Sequence, residues 1–318
     1  MSELSATASP LMLLSGTANP ELAERIAAHL DRPLCDVTID RFADGEIFVR
    51  INENVRGRDV FLIQPTNAPA ANIVELLILI DAAKRASAAR VTAVIPYYGY
   101  GRQDRKDQPR VSIAARLMAN LITSAGADRV LSIDLHQHQI QGFFDIPVDH
   151  LYAAPVFMDR YKELEGDVVV VATDVGAAKM TRGYAKRLDA DMAIIDKRRP
   201  GPNLAEVVNV VGEVAGKRCL ITDDMIDTAG TMVGAVKALW ERGAKEVYCL
   251  ATHALLSGPA IERLNSVDIE EITVTDTIRV SGKAREGLPN LKVLSVASLL
   301  ARAIENTHYN RSVSSLFV

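Results

Sequence analysis

The sequence predicts an α/β fold: two similar domains, each a parallel sheet flanked by helices. Three observations carry the prediction. Short β-branched apolar runs alternate with segments of helical periodicity. The runs are continuously apolar rather than alternating, as parallel strands covered on both faces require. At 318 residues, the chain is long enough for two cores.

The elements follow in order. Leu-Met-Leu-Leu-Ser at 11–15 is the first expected strand. Asn19-Pro20-Glu21 reads as the N-cap, first position and acidic first turn of a helix running to about His29. Strands at 60–64 and 91–95 flank a helix over 70–88, and a helix over 112–125 precedes a strand at 130–134. The second half offers strands at 168–172, 219–222, 247–251 and 272–275, with a strand-like stretch at 192–195. Helices are expected over 177–188, 230–242 and 297–306, and residues 207–214 read as a hairpin-like excursion. Phe61-Leu62-Ile63-Gln64 and Cys219-Leu220-Ile221-Thr222 open the same succession of elements, which suggests duplicated halves. The expected boundary lies near residue 150. Domain one is 1–150, completed by a C-terminal segment 300–318, and domain two is 151–299.

Composition narrows the function. A hydrophobic share of 48% and a charged share of 24% exclude collagen-like, disordered and disulfide-scaffold classes. Aromatics at 5% and a net charge of −4 argue against nucleic-acid platforms and anionic membranes. Cys35, Cys219 and Cys249 sit in or beside apolar runs and read as buried free thiols of a reducing cytoplasm. No secretory signal is visible, and no apolar run is long enough to span a bilayer.

The most informative segment is Thr222-Asp223-Asp224-Met225-Ile226-Asp227-Thr228-Ala229-Gly230-Thr231. An apolar strand ends in two carboxylates, and a loop of small and hydroxyl residues leads into a helix. That position, at the carboxyl end of a parallel strand, is where α/β proteins bind ligands. Small residues let backbone N–H groups approach a phosphate, Thr228 and Thr231 add hydroxyls, and the helix adds its dipole. Asp223 and Asp224 repel phosphate but suit vicinal hydroxyls or a cation. The combination describes a site for a pentose 5-phosphate. Read locally, the same residues also fit an Asp227 N-cap with two exposed acids. No G-x-x-x-x-G-K-S/T loop occurs, and Gly99-Tyr100-Gly101 lacks the third glycine of a dinucleotide fingerprint.

The segment resembles the phosphoribosyl-diphosphate loop of type I phosphoribosyltransferases. Further motifs, in order, resemble the ribose-phosphate diphosphokinase (phosphoribosyl diphosphate synthetase) family over nearly the whole chain. They are Arg41-Phe42-Ala43-Asp44-Gly45-Glu46, Asn54-Val55-Arg56-Gly57, Arg102-Gln103-Asp104, Asp134-Leu135-His136, Gln139 through Asp145, and Asp196-Lys197-Arg198-Arg199. The resemblance implies two type I phosphoribosyltransferase-like domains. It also implies diphosphoryl transfer from Mg·ATP to ribose 5-phosphate, giving 5-phosphoribosyl 1-diphosphate and AMP.

The resemblance places ATP on Phe42, Asp44, Gly45 and Glu46 and on Arg102 and Gln103. A guanidinium suits phosphate or adenine, the carboxylates suit adenine or ribose, and Phe42 suits stacking on the base or a place in the core. It carries over His136 and Asp174 as Mg²⁺-site residues. On an extended strand His136 and His138 would share a face, but His138 has no transferable role and reads as structural. Lys197 and Arg199 are the expected catalytic cations, Arg199 also touching ribose 5-phosphate. That sugar is expected on Asp223, Asp224, Asp227, Thr228, Ala229, Gly230 and Thr231. The family commonly has Pro before Asp174, Gly where Ala177 stands, and in many members Gly at Ala229. A methyl there is tolerated if φ stays negative. Arg56, Gln141, Ser312 and Ser314 match a regulatory site for phosphate and ADP in the family's phosphate-activated bacterial class. A homohexamer is implied by resemblance. Two alternatives stand beside this reading: a phosphoribosyltransferase, and a non-catalytic regulatory subunit of the synthetase.

Overall fold

The computed structural model describes residues 10–162, 164, 166–198 and 207–316. The chain forms two compact units. One holds the residues up to 152 together with 277–279 and the segment from 296. The other holds 153–276 and 280–295.

The first unit begins with β1 (Leu11–Ser15), α1 (Pro20–His29), β2 (Val37–Arg41), β3 (Ile47–Ile51) and β4 (Asp59–Ile63). It continues through α2 (Ala71–Arg85), β5 (Arg90–Ile95), α3 (Ala114–Ala125), β6 (Arg129–Ile133) and β7 (Val148–Leu151). Five strands form a parallel sheet in the order β1-β4-β5-β6-β7. All five residues of β4 are buried, so both sheet faces are covered, as its unbroken apolar run requires. Leu62, Leu76, Leu79, Ile80, Val91 and Ile95 sit in the core between this sheet and α2. The expected cap of α1 is present: Asn19 Oδ1 accepts the N–H of Leu22 at 3.3 Å, with Pro20 at the first position.

The second unit contains α4 (Ala154–Tyr161), β8 (Val168–Ala172), α5 (Ala178–Leu188), β9 (Asp191–Arg198), β10 (Val207–Val211) and β11 (Arg218–Ile226). It continues with α6 (Gly230–Glu241), β12 (Glu246–Ala254), α7 (Ala260–Asn265), β13 (Glu271–Thr275), α8 (Gly282–Gly287) and β14 (Leu291–Leu294). Its sheet runs β10-β9-β8-β11-β12-β13-β14 and is parallel except where β10 pairs antiparallel with β9. That pairing is the hairpin-like excursion. The last helix, α9 (Ala297–His308), belongs to the first unit and packs on α1.

The repeat in the sequence is a repeat of topology. The order β1-β4-β5-β6-β7 matches β8-β11-β12-β13-β14 strand for strand. On the outer side of β8 lies β9, whereas among the described residues the matching edge of β1 carries only the bridge Leu13–Leu34.

Three details differ from the sequence reading. β2 and β3 form a separate antiparallel hairpin, with Val37 opposite Ile51 and Arg41 opposite Ile47, that the apolar-run criterion passes over. β11 does not stop at Thr222. It carries Asp223 and Asp224 within the strand to Ile226, supported by β12 through Asp223–Ala251 and Met225–His253. β6 ends at Ile133 and His138 opens a short 3₁₀ segment, so His136 and His138 do not share a strand face.

All three cysteines are buried and unbridged. Burial pushes the Cys35 thiol up to about 12 and Cys219 up to about 11. Among the described residues, no helix is long and apolar enough to cross a membrane.

Candidate functional site

In the second unit the chain leaves β8 toward β9 on one side, and β11 lies on the other. The sheet therefore has a topological switch between β8 and β11, and the crevice at their carboxyl ends is the expected ligand position. Two loops meet there. One follows β8 and carries Thr173, Asp174, Val175, Gly176 and Ala177. The other follows β11 and carries Asp227 through Thr231.

The β11 loop turns into α6 through Ala229, which is the helix N-cap at φ +61°. Asp227 is therefore not the cap. The negative φ expected at Ala229 is not adopted, because the chain needs a left-handed residue to swing from strand to helix. The turn is held from behind. Leu256 N–H donates to Ile226 O and Ser257 N–H to Asp227 O, both at 2.9 Å, and Arg263 Nη1 donates to Thr228 O at 3.0 Å. Thr228, Gly230 and Thr231 are left exposed at the helix N-terminus, where backbone N–H groups and dipole favour an anion.

The acids lie just below this loop. Asp223 Oδ2 accepts the Thr173 hydroxyl at 2.9 Å, and Oδ1 accepts the Asp224 N–H at 2.8 Å. Burial, reinforced by the neighbouring Asp224 charge, pushes the Asp223 carboxyl up to about 8. Asp174 is exposed, and its Oδ1 accepts the Ala177 N–H at 2.9 Å, which folds the loop at the start of α5. Lys197 lies on β9, three residues beyond the point where Ile194 pairs with the last residue of β8. Its backbone is thus at the same end of the sheet as both loops. Arg199 lies outside the described residues.

The matching crevice of the first unit is filled from within. Gln64 stands where Thr222 stands in the repeat. Glu75, on α2, is buried and accepts the Thr17 N–H at 2.6 Å, the Thr17 hydroxyl at 2.8 Å and Gln64 Nε2 at 2.9 Å. Gln64 Oε1 accepts the Ala18 N–H at 3.1 Å. A Cβ on Gly16 would meet that oxygen at 2.2 Å, so the loop closes tightly over the pair. An internal carboxylate satisfies the loop N–H that would otherwise be offered to an anionic ligand.

The first unit has a cleft elsewhere, at the carboxyl ends of β5 and β6. Arg102, Gln103 and His136 line a cavity of about 360 Å³ together with Arg105, Gln108 and Gln137. Gly101 lets the chain pass close to His136: a Cβ there would lie 3.2 Å from Tyr98 O and 3.5 Å from the His136 Cβ. Leu135 N–H donates to His150 Nε2 at 3.0 Å beside Asp134, which has φ +39°. The His138 ring packs on His150 and Tyr152 at 5.2 and 5.7 Å.

Phe42, Asp44, Gly45 and Glu46 form the tip of the β2–β3 hairpin and do not line this cleft. Phe42 is 56% exposed and meets Phe48 edge-on at 5.7 Å, so it is not a core aromatic. Phe42 N–H donates to Glu46 O at 2.9 Å, Gly45 has φ +94°, and Asp44 Oδ1 accepts the Glu46 N–H at 3.0 Å. The four residues matched to regulation lie on three segments of the first unit, with Ser312 and Ser314 together on one of them. Arg56 N–H donates to Asn54 Oδ1 at 3.0 Å, Gln141 Nε2 to His138 O at 3.0 Å, and Ser314 N–H to Ser312 Oγ at 3.2 Å.

Among the described residues, no cluster of three or more His, Cys, Asp or Glu could hold a metal by itself. One exposed carboxylate, Asp174, fits Mg²⁺, which keeps several waters and takes one or two carboxylates alongside substrate phosphates. Sequence reasoning did not give roles to Thr173, Thr181, Thr222 and Arg263. Each acts on a partner far away in sequence, and no local pattern signals it.

Comparison with known proteins gives the family. Residues 11–126 match a family model described as the N-terminal domain of ribose phosphate pyrophosphokinase, and residues 202–318 match the phosphoribosyl synthetase-associated domain. The chain is 52% identical over 310 residues to a ribose-phosphate pyrophosphokinase of Chlorobaculum tepidum, covering 97% of this chain and 95% of that one. It is 54% identical to one from Caldanaerobacter subterraneus subsp. tengcongensis, covering 96% and 98%. A crystal structure of phosphoribosylpyrophosphate synthetase from Mycobacterium smegmatis superposes with a TM-score of 0.88 at 46% identity, covering 95% of this chain and 100% of that one. With its motifs, its duplicated sheet and relatives of this identity over nearly full length, the chain belongs to the ribose-phosphate pyrophosphokinase family.

Proposed function

We propose that the chain transfers the β,γ-diphosphoryl group of Mg·ATP to the anomeric hydroxyl of ribose 5-phosphate, releasing AMP and 5-phosphoribosyl 1-diphosphate. The observation that carries this reading is the crevice between β8 and β11. It holds an acid pair beside an exposed helix N-terminus, while the equivalent crevice of the first unit is closed by Glu75 and Gln64.

The 5-phosphate takes the N–H groups and hydroxyls of Thr228 to Thr231, with Asp227 and Ala229 shaping the loop. Asp223 and Asp224 accept hydrogen bonds from ring hydroxyls. This arrangement leaves the anomeric hydroxyl free to attack the β-phosphorus while AMP departs. Such a transfer needs in-line positioning and neutralisation of spreading charge more than covalent help, and Lys197 and Arg199 supply the cations. Arg102 and Gln103 hold the nucleotide, together with the hairpin residues Phe42, Asp44, Gly45 and Glu46. Asp174 and His136 are the residues that would contact Mg²⁺. When bound, the ion neutralises phosphate charge.

The same reading extends to a cytoplasmic homohexamer. Phosphate activates and ADP inhibits it through Arg56, Gln141, Ser312 and Ser314. This part rests on the resemblance and on the placement of these residues in the first unit.

The test follows the label of ATP marked at the β-phosphorus. Label passes into the sugar product and AMP remains unlabelled. Release of labelled ADP rules out diphosphoryl transfer, and an absence of turnover returns the regulatory-subunit alternative.

A further inference from the structure

Thr173 is buried at the end of β8, where its hydroxyl donates to Asp223 Oδ2 at 2.9 Å. With the Asp224 N–H on Oδ1, one donor sits on each carboxylate oxygen. The plane of the Asp223 carboxylate is therefore fixed, and the lone pairs that remain point in a defined direction.

A second bridge stands behind the first. The hydroxyls of Thr181 and Thr222 are 2.9 Å apart, and Thr181 also donates to Ala177 O at 3.0 Å. A hydroxyl has one proton, so the Thr222 O–H is the donor to Thr181. Thr181 and Thr222 are both fully buried. The loop that follows β8 is thus fastened to β11 at its start by Thr173 and, through Thr181, at its end by Thr222. In a buried setting these bonds hold geometry that water would otherwise loosen.

We infer that Thr173 is a positioning residue for the sugar: its hydroxyl orients the Asp223 carboxylate to receive a ring hydroxyl of ribose 5-phosphate. The inference rests on the proposed function, which places ribose 5-phosphate in this crevice. The role is indirect, since Thr173 acts on substrate only through Asp223. The structure thereby links the sugar acid to the loop that bears Asp174.

The experiment measures ribose 5-phosphate binding to the intact protein by titration calorimetry, in a double-mutant cycle. Thr173→Val keeps the shape and removes the hydroxyl. It should weaken ribose 5-phosphate roughly ten-fold, the worth of one hydrogen bond at the high end, and leave ATP affinity unchanged. Thr173→Ser restores the donor and should bring affinity back to near wild type. In an Asp223→Asn background, Thr173→Val should add less than two-fold, because the group it orients is already altered.

Wild-type affinity in Thr173→Val, or the same ten-fold loss in both backgrounds, overturns the inference. If Asp223→Asn alone leaves ribose 5-phosphate affinity unchanged, the sugar does not sit on this acid, and the site reading and the inference fall together. If Asp223→Asn weakens binding and Thr173→Val does not, only the role of Thr173 falls.

Discussion

His308 Nδ1 lies 2.7 Å from Asp59 Oδ2, joining the end of α9 to the start of β4 inside the first unit. Arg90 completes the cluster: its Nε donates to Asp59 Oδ1 at 2.8 Å and its Nη2 to Thr307 O at 3.1 Å. Asp59 and His308 are both buried, so the last helix of the chain is a structural part of a unit formed mainly by its first half. Asp59→Asn removes the charge that balances Arg90. Breaking a buried pair costs about 3–5 kcal/mol, and the partial exposure of Arg90 places this case near the low end. Urea unfolding should show a loss of about 3 kcal/mol, and a midpoint within error of wild type would show that the cluster contributes nothing.

Ala229 carries a different kind of cost. A side chain at φ +61° pays for its Cβ on the order of 1 kcal/mol, and glycine does not. Ala229→Gly also loosens the unfolded chain, which offsets part of the gain. The net expectation is a stabilisation of at most about 0.6 kcal/mol, read as a small rise in melting temperature. The KM for ribose 5-phosphate should stay within two-fold, because the turn already has the required shape. A fall in stability would mean that the methyl is favourably packed, since Ala229 is itself buried.

Asp223 predicts a pH dependence. Its pKa in the fold is raised to about 8 from an ordinary 3.8, by burial first and by Asp224 second. A carboxyl raised in this way takes up a proton on folding. Its contribution to stability is fully present below about pH 4 and is lost as pH rises toward 8. Between pH 5 and 8 the ligand-free protein should lose stability with a slope corresponding to about one proton. Asp223→Asn should flatten that slope, and an identical slope in the variant would show that Asp223 is ionised across the range.

Why some of this was legible and some was not comes down to the range of the forces involved. Leu11–Ser15 and Val168–Ala172 could be read directly because a strand covered on both faces leaves no room for polar residues. The hairpin of Val37–Arg41 and Ile47–Ile51 could not, since its charged alternation resembles a solvated loop until the two strands pair. The acids Asp223 and Asp224 looked like the end of a strand. Pairing with β12 carries the strand through them, and that pairing is set by residues 28 positions further on. The loop after β11 was legible as a candidate ligand position because a small, hydroxyl-rich turn after a parallel strand has few other uses. Its backbone was not, because the sign of φ at Ala229 depends on bonds from Leu256 and Ser257. The bond from Thr173 to Asp223 spans 50 positions and leaves no periodic trace.

Lys197 gives the sharpest test of the catalytic assignment. It sits on β9 opposite Val208 of β10, beyond the point where β8 ends, so its backbone is at the same end of the sheet as the loops that carry Asp174 and Thr228. In the transition state, negative charge spreads over the β-phosphoryl oxygens and the departing AMP. A cation that meets this charge more strongly than the ground state raises kcat and leaves KM nearly unchanged. Removing one preorganised donor of this kind costs ~2.7–4 kcal/mol, or on the order of 10²–10³ in rate. Lys197→Ala should lose at least that in kcat at saturating ATP and ribose 5-phosphate. Lys197→Arg should recover little, because a planar fork does not replace a compact ammonium. Arg199→Ala should fall as far and also raise the KM for ribose 5-phosphate. The double variant should lose less than the product of the two, since both cations act on one group. A kcat near wild type in Lys197→Ala would remove Lys197 as the catalytic cation and move the search to Arg102 and Arg105 in the cleft of the first unit.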